Sequence, residues 1–395
     1  MTVIEANSEA KAIQKVSATA VKHDAPLILF AVTHSSAGGL RELWSDIAEG
    51  LALRGYAVGR FALYAPASGD GEGVDWAAWH HIVERPPRSI GATLKLFSRL
   101  VKYLRQMRPV AIVTAMPAAN VAIPLAVRLA GLPTRVFVTH HSPTHTHNAL
   151  LDRLDSWTGS LRNVAAVISV SDAVSDSLAH KPGRYRAKRR TIHNALPQSI
   201  EQLIDDRRIV QHQDPGCHVV ALGRLSYQKN YPMLLSAFAR LPGITLEIVG
   251  GGEDEADLRS LAKELGIAER VHFAGMMPRI QALDRAARAE IFVQVSRYEG
   301  HSLALIEAAR LGLPLIVSDI PEQVEAITAA DGERCGIAVP LGDVDELARR
   351  IATLIDNPMT RAHWSRLARK LALERSHMQM IDRYEQMLVD VARSR

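Results

Sequence analysis

The chain is poor in residues that staple, stack or span. Among 395 residues there are two cysteines, Cys217 and Cys335, too few for a disulfide framework or a four-thiolate zinc site. Aromatic residues make up 5%, and neither a zinc-finger spacing nor an RNA-binding aromatic motif accompanies them, which argues against nucleic acid as a partner. No apolar run reaches the ~18–20 residues that a membrane span requires. Residues 1–24 mix Glu5, Glu9, Lys11, Lys15 and Lys22 with small side chains. They lack the apolar core of a signal peptide, so this stretch reads as a flexible arm and the protein as cytoplasmic. The Gly-Lys-Ser/Thr pattern of a P-loop is absent, and no short repeat or low-complexity segment appears.

What is present is globular: 47% hydrophobic and 23% charged residues, over a length that suits two domains. The formal net charge of +5 is uneven. Residues 1–200 hold 23 Lys and Arg against 14 Asp and Glu, and the remainder 24 against 28. A basic half beside a mildly acidic one suits an anionic lipid or a phosphorylated substrate, or simply a solvated surface.

Short apolar runs at 26–33, 110–114, 135–139 and 165–170 read as buried strands, with helical spacing between them, as in Leu43, Ile47 and Leu51. The pattern restarts at 218–222, 245–249, 271–273, 291–295 and 315–318. Alternating strand and helix, twice over, predicts two doubly wound α/β domains with ligands at the carboxyl ends of their strands. The polar stretch 198–216 marks the boundary, and a last helix covers about 378–394.

The chemistry belongs in the loops after those strands. Gly38 and Gly39 follow the first strand and open a helix, where backbone N–H groups meet an anion at the positive end of the dipole. Gly250-Gly251-Gly252 is a second such turn, but Glu255 stands where a dinucleotide fingerprint needs its third glycine, which disfavours hydride transfer. Gly223-Arg224-Leu225-Ser226-Tyr227-Gln228-Lys229 follows a buried strand directly. There a guanidinium fork and a compact ammonium suit a diphosphate, the plain alternative being a turn with two solvated cations. Glu299 lies in a loop, and Glu307 falls about two helical turns further on. Buried carboxylates need hydrogen bonds, which sugar and ribose hydroxyls supply. The plain alternative is a carboxylate favoured by a helix dipole.

Taken in order, Gly223–Leu225, Lys229, Gly250–Gly252, His272–Gly275, Glu299 with Glu307, and Leu311–Pro314 resemble the retaining family 4 of glycosyltransferases, the group 1 glycosyltransferases. The resemblance covers nearly the whole chain after residue 24 and is strongest from about 217 to 345. It implies a GT-B fold with two Rossmann-like domains facing a cleft. Residues 25–198 form the acceptor-side domain, completed by the helix 378–395, which crosses back. Residues 199–377 form the nucleotide-sugar domain. It further implies that Arg224 and Lys229 clamp the donor diphosphate, Glu307 holds the ribose, and Glu299 holds the donor sugar. Gly39 approaches the diphosphate, and His140 or His141 lies near the sugar. Gly38, Gly223, Gly251, Met276, Gly300, His301, Ser302 and Leu303 complete the donor site.

The implied activity is transfer of a sugar, a hexose, from a nucleotide diphosphate to a hydroxyl with retention of configuration, without a metal or other cofactor. The implied process is cell-envelope or exopolysaccharide and glycolipid assembly. The partners are the donor, a glycan or lipid-linked acceptor, and an anionic membrane touched from its cytoplasmic face through the basic first domain. A non-catalytic nucleotide-sugar scaffold or sensor, and a GT-B sugar-nucleotide epimerase, are the alternatives. The sequence departs from the family in carrying His301-Ser302 for Phe-Gly, Asn230 for Gly, and His193-Asn194-Ala195 for Pro-Asn-Gly.

Other features have simpler readings. Asp343-Val344-Asp345 resembles a metal motif of a different fold, but Glu346 three residues after Asp343 makes it a helix cap. His140, His141, His145 and His147 lack a carboxylate or thiol at ligand spacing. In 88–108, Lys95, Arg99 and Lys102 share one helical face, and Leu94, Phe97, Leu100, Val101 and Leu104 are expected to cover another. Residues 181–190 carry six cations in a loop expected to be solvated. Both segments suit an anionic membrane surface, but 88–108 reads first as a helix packed on the sheet with its polar face in water.

Overall fold

The computed structural model describes residues 25–35, 39–65, 79–207 and 217–393. The expected arm at 1–24 and the candidate Gly38 lie outside them. The chain divides into two compact units.

In the first unit β1 (Leu27–His34), β2 (Ala57–Tyr64), β3 (His80–Val83), β4 (Ala111–Ala115), β5 (Arg135–His140), β6 (Val164–Ser169) and β7 (Arg189–Thr191) form one sheet. Its order is β3-β2-β1-β4-β5-β6-β7, and every pair is parallel. All five residues of β4 are buried, as expected of a strand covered on both faces. The strand β2 has no sequence counterpart above, because Gly59 and Arg60 interrupt its apolar run. The Arg60 guanidinium leaves the sheet to donate to Ser45 Oγ at 2.7 Å.

Helices α1 (Gly39–Leu53), α2 (Ile90–Met107), α3 (Pro117–Ala130) and α4 (Ala149–Thr158) follow β1, β3, β4 and β5. Right-handed crossovers running in opposite directions from β1 put α1 on one face and α2, α3 and α4 on the other. There α2 packs on α3 and α3 on α4. Short helices α5 (Asp172–Ser177) and α6 (Gly183–Arg186) precede β7.

The second unit takes Ser171–Val174 and His193–Met380. After α7 (Gln198–Arg207), the strands β8 (Cys217–Leu222), β9 (Leu246–Val249), β10 (Val271–Gly275), β11 (Ala289–Gln294), β12 (Leu315–Ser318) and β13 (Ile337–Val339) pair in parallel in the order β10-β9-β8-β11-β12-β13. The helices between them are α8 (Tyr231–Phe238), α9 (Glu255–Glu264), α10 (Arg279–Ala286), α11 (Leu303–Leu311) and α12 (Pro321–Ala326). The order reverses between β8 and β11, so the loops after these two strands open side by side.

The units part at His193 rather than at 198/199. Asn194 Nδ2 donates to the His301 carbonyl at 2.9 Å and His193 pairs with Glu325, which ties both residues to the second unit. Three further helices, α13 (Val344–Asp356), α14 (Pro358–Leu373) and α15 (His377–Arg393), end the chain. From Ile381 onward α15 belongs to the first unit. Ile381, Tyr384 and Leu388 are buried, and Arg54 forms ion pairs with Asp382 and Glu385. Asp343 Oδ1 accepts from the Glu346 amide at 2.9 Å, the cap that its spacing predicts.

Two expectations for the basic stretches need correction. In α2 the covered row is Leu96, Leu100 and Leu104, at i, i+4 and i+8, and Leu94 stands exposed among the cations. In residues 181–190 half of the cations turn inward. Lys181 is buried, with Nζ 2.7 Å from Asp152 Oδ1 and 3.0 Å from Asp155 Oδ2. Lys188 donates to the carbonyls of Gly159 and Leu161, and Arg189 to that of Ser175. This segment is therefore not a solvated basic loop.

Tyr185 anchors the same network. Its ring is fully buried against Gly159, where a Cβ would lie 2.2 Å from Tyr185 Cε2. Its hydroxyl donates to Asp155 Oδ2 at 2.8 Å and lies 2.7 Å from His140 Nε2. Burial and Asp155 push the phenol well above its ordinary pKa, so it stays a donor. Replacing Tyr185 with Phe keeps the ring and strands two buried partners. We expect about 1–3 kcal/mol of lost stability by chemical denaturation; wild-type stability would show that the hydroxyl is not what holds them.

Candidate active site

The switch point of the second sheet brings two loops together. Gln228 Nε2 donates to the Tyr298 carbonyl at 3.1 Å, and the Arg297 amide to the Gln228 carbonyl at 2.8 Å. Within this lacing Lys229 Nζ meets Glu299 Oε1 at 2.7 Å, both side chains largely covered. A buried ammonium and a buried carboxylate each require a partner, and here each is the other's. Gln294 ends β11 and donates through Nε2 to the same Glu299 oxygen at 2.8 Å. Its Oε1 accepts from Ser302 Oγ at 2.9 Å. Ser302 Oγ in turn caps α11, accepting from the Leu305 amide at 3.3 Å. One chain of contacts thus runs from Lys229 to the start of α11, where Leu303 is the first helical residue and the N–H groups open toward anions.

Glycine shapes the floor. Gly223 has φ of 144°, and the Lys229 stem passes so close that an added Cβ would lie 2.9 Å from its Cε. At Gly250, φ 145°, a Cβ would fall 2.0 Å from the Gly223 carbonyl oxygen. Tyr231 Oη donates to that carbonyl at 3.1 Å, and burial raises its pKa. Gly251 sits beside Met276, which is exposed.

The other candidates fall into separate groups. Glu307 lies inside α11, buried, with Oε1 accepting from Arg279 Nε at 2.6 Å. Arg224 is exposed and pairs with Glu253 at 3.0 Å. His301, next to Gly300, points inward, with Nε2 against the Arg375 guanidinium. Because arginine only donates, that nitrogen carries the lone pair and Nδ1 the proton. Burial, then Arg375 and His193, hold the ring well below its ordinary pKa and therefore neutral.

Behind His301, Glu325 accepts from the Asp172 and Ala173 amides and from His193 Nε2, each at 2.7 Å. Asp172, His193 and Glu325 are the one grouping of three metal-type ligands found among the described residues. Both Glu325 oxygens already have these partners.

Gly39, His140 and His141 belong to the first unit. Gly39 is the first residue of α1. His140 ends β5, buried, and faces Tyr185 through Nε2. Since Tyr185 donates to Asp155, the His140 proton sits on Nε2. His141 is half-buried, 2.9 Å from Thr139 Oγ1, and burial with His140 beside it lowers its pKa to about 3. Both rings are neutral at physiological pH. Sequence reasoning had not singled out Gln294, Arg279 or Arg375. Gln294 had a signal, since it is a polar residue directly following the apolar run Ile291–Val293.

Two parallel Rossmann-like sheets make this a GT-B α/β protein. Residues 37–198 match the family Glycosyltransferase Family 4, and residues 204–371 match Glycosyl transferases group 1. The chain belongs to the group 1 glycosyltransferases. It is similar to the lipopolysaccharide core biosynthesis glycosyltransferase LpsE of Rhizobium meliloti, 32% identical over 42% of this chain and 45% of that protein. It is also similar to the amylovoran biosynthesis glycosyltransferase AmsD of Erwinia amylovora, 26% identical over 75% and 82%. The match with LpsE thus spans about half of that relative's length, as does the 51% matched in the glycogen synthase of Mycobacterium tuberculosis. Among solved structures, sucrose-phosphate synthase from Thermosynechococcus elongatus superposes with a TM-score of 0.78 at 20% identity, over 94% of this chain and 100% of that one. Anabaena HepE in complex with UDP-glucose gives 0.75 at 20% identity, over 94% and 100%.

The Glu325 clamp has a pH signature. Burial raises its pKa, but His193 and the Ala173 and Asp172 amides outweigh this and leave it below the ordinary value. Its stabilisation is complete above the unfolded carboxylate pKa and fades as pH falls through the lowered folded value. Glu325→Gln should therefore destabilise the protein at pH 7, with the gap to wild type closing below about pH 4. A gap that persists unchanged into acid would place the stabilising partners elsewhere.

Proposed function

We propose that the protein transfers a sugar, a hexose, from a nucleotide-diphosphate donor to a hydroxyl acceptor with retention of configuration. The observation that carries this reading is the largely covered Lys229–Glu299 pair at the switch point, next to Gly223 and the start of α11. Each member holds the other only until better partners arrive. A diphosphate takes the ammonium, and sugar hydroxyls take the carboxylate. Arg224 is exposed and pairs with Glu253 at the surface, so its fork can turn onto phosphate. Glu307 keeps Arg279 on one oxygen while ribose hydroxyls donate to the carboxylate.

Two cations then stabilise the negative charge that develops on the leaving diphosphate, so the reaction proceeds without a metal. The departing phosphate oxygen takes the acceptor proton on the same face of the sugar. Support for the donor class comes from HepE, which has this fold and was solved with UDP-glucose. LpsE and AmsD support a place in lipopolysaccharide or exopolysaccharide assembly. We place the activity in the cytoplasm, with a glycan or lipid-linked acceptor.

Calorimetry with UDP, GDP, ADP and TDP in chelator tests the donor site. One diphosphate should bind tightly, and Glu307→Ala should weaken it. Binding without turnover against candidate acceptors favours a scaffold, and no binding at all removes the donor site. Lys229→Ala and Arg224→Ala should each lower kcat about 10²–10³-fold, the scale of losing one donor to a developing oxyanion. A loss of twofold or less for either cation moves the diphosphate elsewhere. Activity lost in chelator and restored by manganese would overturn the metal-free step.

A further inference from the structure

The turn after β9 carries three acidic residues in a row, Glu253, Asp254 and Glu255. Negative charge there gains nothing for a site that is to hold a diphosphate. Two of the three have a structural explanation. Glu255 opens α9 and pairs with Arg259 one turn further on, at 2.8 Å. Asp254 stands immediately before the helix, where a carboxylate faces the positive end of the dipole. Glu253 points elsewhere. Its Oε2 accepts from Arg224 Nε at 3.0 Å.

An ion pair between side chains 68% and 56% exposed is ordinarily incidental, because two mobile partners must be ordered to make it. Here the backbone has done much of that ordering. The Leu225 amide donates to the Gly251 carbonyl at 3.1 Å, and the Asp254 amide donates to the Leu225 carbonyl at 3.1 Å. A Cβ on Gly252 would lie 2.2 Å from that same Leu225 oxygen. Arg224 sits between Gly223 and Leu225, and Glu253 between Gly252 and Asp254, so each has joined residues on both sides. The two side chains start from one fixed separation, and only their own torsions remain to be set.

We propose that Glu253 is a positioning residue for Arg224. It holds the guanidinium ready while no diphosphate is bound, and it recaptures the guanidinium as the diphosphate leaves. This rests on the reading of Arg224 as a diphosphate clamp. The contact runs through Nε, so an arriving phosphate can engage the terminal nitrogens before the carboxylate lets go. The exchange passes through no state in which Arg224 lacks an anionic partner. Its consequence is a lower affinity than Arg224 alone would give, because every diphosphate that binds has to displace Glu253, and a faster release.

The test is calorimetry on the full chain with the diphosphate that wild type binds among UDP, GDP, ADP and TDP. Glu253→Gln should bind it about two- to fivefold more tightly, the scale of one exposed ion pair, with a correspondingly slower dissociation rate. In the Arg224→Ala background the same substitution should give no gain, because the group it competes for is gone. An affinity unchanged or weakened by Glu253→Gln overturns the proposal, and a lowered melting temperature beside it would assign the carboxylate to the α9 dipole. A gain as large without Arg224 as with it also overturns the proposal, since plain repulsion between Glu253 and the diphosphate would then explain it. These failures leave the donor site standing as long as Arg224→Ala weakens binding. Absence of diphosphate binding by wild type removes both.

Discussion

An ammonium group taken out of water beside the end of a strand has to be matched there by a negative charge. In the second unit that constraint is met by Lys229 and Glu299, and much of the local structure serves to keep the match. Gln294 fixes the carboxylate from below, Ser302 fixes Gln294, and the same serine starts the helix that carries Glu307. The pairing matches the two charges at the strand end while they are covered from water. A site built on two unpaired buried charges would be far less stable.

The first unit solves a similar problem for structural ends. Lys181 is enclosed with two carboxylates, a tyrosine and a histidine, and the result is a fixed orientation for His140 at the end of β5. The neighbouring His141 therefore emerges from a rigid support. Both units place polar groups of high consequence at the carboxyl ends of strands, where helix starts and loop amides can satisfy them.

The alternation of apolar runs with helical spacing made most strands legible, because a parallel strand buried on both faces is a short apolar run. The strand β2 was not legible, since Arg60 within it escapes to Ser45 and leaves no signature in hydropathy. The positions of Lys229 and Glu299 in loops, and of Glu307 within the following helix, followed from their offsets to the strands. Of their partners, Arg279 comes from a separate helix and carries no motif, while Gln294 ends the strand just before the Glu299 loop. Charge alone misread residues 181–190, where carbonyls and carboxylates of the preceding helix draw half of the cations inward. Periodicity misread α2 by one row, and only packing showed that Leu94 is left over.

The contact between Gly250 and the Gly223 carbonyl reaches further than local fit. It makes the turn after β9 and the turn after β8 a single backbone joint, with no side chain between them to absorb change. An insertion or a rigidifying substitution in either turn is transmitted to the other without damping. For anyone seeking to redesign this region, the two loops are one part, to be exchanged together or not at all.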